Sequence, residues 1–118
     1  MANKRDDFSS ATKELLANRV GRKCSNPMCR KLTCGANENP EKITNIGVAA
    51  HICAAAKGGP RYDANMTPQE RKSFENGIWL CQSCSKLIDT DTTRYTKDTL
   101  QSWKRIAEEI SIMEVEAG

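Results

Sequence analysis

Gly47-Val48-Ala49-Ala50-His51-Ile52, taken with Asn76-Gly77-Ile78-Trp79-Leu80-Cys81-Gln82-Ser83-Cys84, decides how this chain folds. The first stretch is an apolar, strand-like run ending on the only histidine of the sequence. The second opens with an asparagine, continues as a short apolar run and closes in a Cys-x-x-Cys. This order predicts a β-β-α unit: a strand ending in His51, a long loop, Asn76, a second strand, then a helix starting at the cysteines. Such a unit could aim the imidazole at a phosphate lying against the helix. Asn76 would then fix either the loop backbone or the tautomer of the ring.

Upstream lies a second cysteine pair, Cys24-Ser25-Asn26-Pro27-Met28-Cys29, whose Asn-Pro step favours the tight loop that two thiolates on one ion require. Cys24, Cys29, Cys81 and Cys84 therefore predict a tetrahedral, closed structural Zn²⁺ site that supplies folding energy directly. The competing reading is a secreted disulfide domain. With Met1 to Asp7 showing no apolar signal core, that reading needs a signal already removed, and it fits less well because the cysteine pairs sit at metal-like spacings. A redox role for Cys81 and Cys84 lacks the strand–helix alternation of a thioredoxin-like fold. Cys34 and Cys53 are left over and read as buried or half-buried free thiols.

At 118 residues the chain is expected to be one domain over 1–118, large enough for a core but not a generous one. No apolar run reaches the length of a membrane span, which predicts no membrane partner. Net charge is +3, unevenly placed: residues 1–61 carry 11 Lys and Arg against 5 Asp and Glu, residues 62–118 carry 7 against 10. A basic half suits contact with phosphates, although an ordinary solvated surface gives the same count.

In chain order, Ser9 or Ser10 caps a helix through residues 12–20 with Gly21 after its end; Leu15, Leu16 and Val20 form its apolar stripe, and Phe8 is placed to join them. Residues 34–45 read as a polar surface loop and 43–52 as one short buried strand. Thr67-Pro68-Gln69-Glu70 is a capping box with proline at the first helical position, and predicts a helix to about Glu75. Thr96 caps a last helix whose stripe Leu100, Trp103, Ile106, Ala107, Ile110 and Met113 is taken as core. Residues 108–118 read as the start of a linker to a further domain.

Imidazole titrates near neutrality, so His51 suits general-base work on water at cellular pH. Hydrolysis of a phosphodiester also needs the leaving oxyanion stabilised, most simply by one Mg²⁺ or Mn²⁺ on oxygen ligands. Ala50-His51-Ile52, Asn76 to Cys81 and Cys81-x-x-Cys84 resemble the HNH (ββα-metal) endonucleases with a zinc-knuckle scaffold. Gly47 to Ile52, Gly58-Gly59-Pro60-Arg61-Tyr62, Asn76 to Asp89 and Tyr95 to Lys104 extend the likeness over about residues 19–107. The longer string is most similar to the N-terminal nuclease domain of HNH–SAVED effectors of bacterial cyclic-oligonucleotide antiphage signalling.

The resemblance implies an α+β fold, a small zinc-stapled ββα-metal domain with flanking N- and C-terminal helices. It implies cleavage of double-stranded DNA with His51 as general base, Asn76 as the motif's asparagine and one catalytic divalent cation. It further implies a bacterial cytoplasmic setting, a cyclic oligonucleotide bound by a C-terminal sensor domain, and a homo-oligomer in the full-length protein. Two positions depart from the family pattern. Ala50 stands where an acidic metal ligand is common, and Ser85 where His or Asn is common.

Asp89 lies one helical turn beyond Ser85 and can supply the missing oxygen ligand, though it can equally just end the helix. Arg61, Lys57, Arg22 and Lys23 are candidates for backbone phosphate contacts. A zinc-stapled module that binds nucleic acid without cleaving it is the alternative, favoured by Ala50 and Ser85. A scaffold domain using the last amphipathic helix is a third reading.

Overall fold

The computed structural model describes residues 5–118; Met1 to Lys4, within the stretch read as lacking a signal sequence, lie outside the described residues. Ser9 opens the first helix, α1 (Ser10–Asn18), its hydroxyl accepting from the Thr12 amide at 3.1 Å. The helix ends sooner than expected, and Gly21 takes the left-handed turn that follows, at φ 64°. Leu16, Val20 and Phe8 are buried as the stripe predicts, whereas Leu15 is half exposed.

The expected polar loop over 34–45 is instead an antiparallel hairpin, β1 (Cys34–Ala36) with β2 (Ile43–Asn45). Its tip is built from asparagines: Asn37 Oδ1 accepts from the Asn39 amide and Asn39 Oδ1 from the Glu41 amide, both at 3.0 Å. The predicted single strand 43–52 is split at Ile46, so that β2 serves the hairpin and β3 (Gly47–His51) serves the central sheet.

The Thr67 box forms as predicted, with Thr67 and Glu70 each closing on the other's amide. The helix is shorter than expected: α2 (Pro68–Arg71) gives way to a 3₁₀ turn over Phe74–Asn76. Then comes β4 (Gly77–Cys81), antiparallel to β3 with Ala49 facing Trp79 and His51 facing Gly77. The helix α3 (Gln82–Thr90) follows without a linking residue, and α4 (Lys97–Ala117) closes the chain, capped by Thr96 as predicted.

All five residues of β4 are buried, because this two-stranded sheet has a core on each face. Alternation along the strand sends Ile78 and Leu80 into a cluster with Ile52, Ile88, Leu100 and the cysteines. Trp79 goes the other way, into a cluster with Phe8, Leu16, Val20 and Ala107. Helix α4 serves both: Leu100 enters one cluster, and Ala107, two turns on, the other. Its remaining stripe is only partly core. Trp103 packs half-buried on the first cluster, while Ile106 and Met113 are 40% and 55% exposed because the last turns run beyond the small body. Those turns are fastened by charge, Arg19 to Glu108 and Lys23 to Glu114.

Lys104 is the polar rivet between α4 and the sheet. Its Nζ donates to the carbonyls of Phe74 at 2.5 Å and Gly77 at 2.6 Å, over the Phe74 ring. Burial holds this amine down at about 8. None of the helices is long and apolar enough to cross a membrane among the described residues.

Trp79 lies over Gly47, where an added Cβ would sit 2.2 Å from the indole Cζ2. Gly47→Ala should therefore destabilise the protein by about 1–3 kcal/mol in urea denaturation, as overpacking does. An unchanged midpoint would mean that the indole does not cover Gly47.

Candidate metal centre and histidine cleft

Cys24, Cys29, Cys81 and Cys84 come together with their sulfurs all within 4.8 Å of one another, Cys29 and Cys81 at 3.9 Å. None of these cysteines is in a disulfide. Four sulfurs at about 2.3 Å from a tetrahedral ion lie roughly 3.8 Å apart, so the cluster has the size a structural metal such as zinc requires. The surroundings fit as well. The buried side-chain amide of Asn26 donates to Cys84 Sγ at 3.4 Å, and the Cys84 amide to Cys81 Sγ at 3.5 Å. Both donors favour thiolate over thiol.

Cys81 is thus the N-cap of α3 by its sulfur, a position where the helix dipole also favours negative charge. Burial opposes its ionisation, but the Cys84 amide and neighbouring thiols outweigh that and pull it below the ordinary thiol value. Burial pushes Cys24 far up. A cation in the cluster would have to displace that proton.

His51 closes β3 and is half-buried. A cleft of about 350 Å³ opens beside it, lined among others by Arg5, Lys57, Ser85 and Asp89. His51 and the α3 residues Ser85 and Asp89 line this same cleft. Burial pushes His51 below the ordinary imidazole value; the Asp6 carbonyl resists this and the Arg5 charge adds to it. The ring stacks on Phe8 at 4.0 Å between centroids, and Nε2 lies 2.9 Å from the Asp6 carbonyl oxygen.

Asn76 is buried and makes no hydrogen bond to the imidazole ring. Of its two expected roles it performs the first, fixing the loop. Its Oδ1 accepts from the Cys53 amide at 2.9 Å, and its Nδ2 donates to the carbonyls of Cys53 at 2.9 Å and Arg71 at 2.8 Å. The chain leaving His51 is thereby stitched to the start of β4.

Asp89 lies on the cleft as expected, one turn from Ser85. However, its Oδ1 accepts from Arg61 Nη2 at 2.9 Å. Arg61 is an internal clamp rather than the surface phosphate contact predicted, with its side chain 7% exposed. It donates to the carbonyls of Ile52 at 2.6 Å and Ile88 at 2.7 Å, tying the end of β3 to the end of α3. Arg22 and Lys23 do not reach this cleft either. Arg22 pairs with Glu14 at 2.7 Å and lines a separate groove against α1, and Lys23 pairs with Glu114 at 2.8 Å. Of the four predicted cations Lys57 alone lines the cleft.

Arg5, Asp6, Phe8 and Arg71 belong to the site but were not singled out as site residues in the sequence. Their signal is weak, since a main-chain carbonyl can come from any residue and Phe8 reads simply as core. Comparison with protein-family models finds no match, and comparison with curated proteins finds none either.

Asn76→Ala should destabilise the fold by about 2–4 kcal/mol, because it leaves buried partner groups on Cys53 and Arg71 unpaired. Urea denaturation of the metal-loaded protein measures this. A loss under about 0.5 kcal/mol, the size of a surface substitution, would contradict the buried network.

Proposed function

We propose that this chain is a metal-dependent endonuclease domain of the HNH (ββα-metal) kind that hydrolyses phosphodiesters of double-stranded DNA, with His51 as general base. The observation that carries the reading is the placement of the sole imidazole. It lies half-exposed at a strand end, in a cleft with cations Arg5 and Lys57 and with α3 forming one wall, in a unit whose corner holds four converging sulfurs. In this account His51 takes the proton from a water as its oxygen attacks phosphorus and one phosphorus–oxygen ester bond breaks. Arg5 and Lys57 hold the phosphate, and Asn76 keeps the loop beneath His51 rigid.

Zn²⁺ is the ion we assign to the four cysteines, in a closed site with no catalytic part. A catalytic Mg²⁺ or Mn²⁺ has a thin but adequate donor set in Asp89 and Ser85, since Mg²⁺ commonly takes one or two carboxylates and completes its shell with water and substrate phosphate. When bound, that ion would supply charge to stabilise the leaving oxygen. By the same resemblance, the full-length protein is proposed to be a bacterial cytoplasmic antiphage effector. A cyclic oligonucleotide bound by a further domain would assemble it into an active homo-oligomer.

A second reading, a zinc-stapled module that binds nucleic acid without cleaving it, is favoured by one observation. Asp89 already gives an oxygen to Arg61, and Ala50 contributes none.

His51→Ala should lower plasmid nicking in Mg²⁺ or Mn²⁺ by about 10²–10⁴-fold, with zinc content and circular dichroism unchanged. Because folding lowers the His51 pKa, the acid limb of the parent's rate profile should lie below about 6.5. The same shift makes its stability contribution full above about 6.5 and lost as pH falls, since the unfolded chain takes the proton first. Unchanged cleavage in His51→Ala would remove the base. Salt-dependent DNA binding without cleavage, even when the protein is fused to an oligomerising segment, would establish the second reading.

A further inference from the structure

We infer that the segment Arg5–Phe8 is a built part of the site, a strap that holds His51 as the Nε2–H tautomer and leaves Nδ1 to accept the proton. Asp6, Phe8 and Arg71 are its positioning residues. The inference rests on the reading of His51 as the base.

The tautomer follows from hydrogen-bond chemistry. The Asp6 carbonyl carries no proton, so Nε2, 2.9 Å away, must be the donor. A neutral imidazole has one N–H, which places the lone pair on Nδ1. The ring plane is set by Phe8, stacked at 4.0 Å and within 12° of parallel. Phe8 itself is 5% exposed, and Gly77, the partner of His51 across the sheet, leaves room for it: a Cβ there would meet Phe8 Cζ at 3.0 Å.

The strap is anchored by polar groups that simple burial of Phe8 would not require. The Asp6 amide donates to the Ala55 carbonyl at 3.0 Å. The Asp6 carboxylate meets Arg71 Nη1 at 3.3 Å, with the two side chains only 15% and 11% exposed. Arg71 Nη2 donates to the Asp63 carbonyl at 3.2 Å, and its guanidinium lies over the Tyr62 ring. Finally the Arg71 carbonyl accepts from Asn76 Nδ2. No hydrogen bond joins the side chains of His51 and Asn76 directly, but they are linked through Asp6 and Arg71. A buried ion pair is a poor source of net stability, and its better-attested use is to specify one geometry. Here that geometry is the angle and protonation of one ring.

With a single histidine, the imidazole of the full chain gives one set of signals in long-range ¹⁵N–¹H correlation spectra. At neutral pH the parent should show a protonated Nε2 and an unprotonated Nδ1. Asp6→Ala should mix the tautomers and lower kcat about tenfold, less than loss of the base itself, with KM little changed. Arg71→Lys keeps the ion pair and should retain the single tautomer and most of kcat, which guards against Asp6→Ala simply failing to fold. A parent ring protonated at Nδ1, or a tautomer indifferent to Asp6→Ala in a folded, metal-loaded protein, would overturn the strap. If the tautomer responds as expected but the protein cleaves no DNA even when fused to an oligomerising segment, the nuclease reading falls and the strap stands as a lock on His51.

Discussion

The convergence of four sulfurs from Cys24, Cys29, Cys81 and Cys84 is the constraint on which the rest of the structure depends. It joins two segments more than fifty residues apart and closes a loop holding the β1–β2 hairpin, β3, the capping box and β4. The apolar clusters on either side of the central sheet are small, and several of the largest side chains of α4 remain exposed. A chain with so little core gains most from a metal staple, because binding free energy to a site that the unfolded chain lacks is folding free energy.

Cys81 transmits this constraint to the site. The same residue ends β4, contributes a sulfur and caps α3, so the angle between strand and helix is set within one residue. Register in the β3–β4 pair then fixes His51 opposite Gly77, and α3 turns Ser85 and Asp89 toward the cleft beside it. Arg61, in a left-handed backbone conformation after Pro60, locks the ends of β3 and α3 together through their carbonyls. Asn76 does the same for the loop that leaves His51. The cleft is therefore framed by polar clamps on rigid elements, which is how a preorganised site is held.

How far this was legible in the sequence depended on how local the signal was. The cysteine spacings, the Thr67 box, the Thr96 cap and the apolar run before Cys81 each carry their own chemistry, and each took the predicted form in the fold. The hairpin over 34–45 was missed because its strands, Cys34-Gly35-Ala36 and Ile43-Thr44-Asn45, have no buried face to give alternation. The stripe of α4 was over-read, since periodicity marks a face without saying whether anything lies opposite. Arg61 read as a surface cation because its partners, the carbonyls of Ile52 and Ile88, exist only once the fold has formed. The strap over His51 had the same fault: its hydrogen bond comes from the main chain of Asp6, and no side-chain pattern announces that.

The most direct test of the account is X-ray absorption at the zinc edge of the purified full chain. The account predicts one Zn²⁺ per chain with four sulfur neighbours at about 2.3 Å and no light-atom ligand. A shell containing nitrogen or oxygen, or protein that folds to the same state without metal, would contradict it.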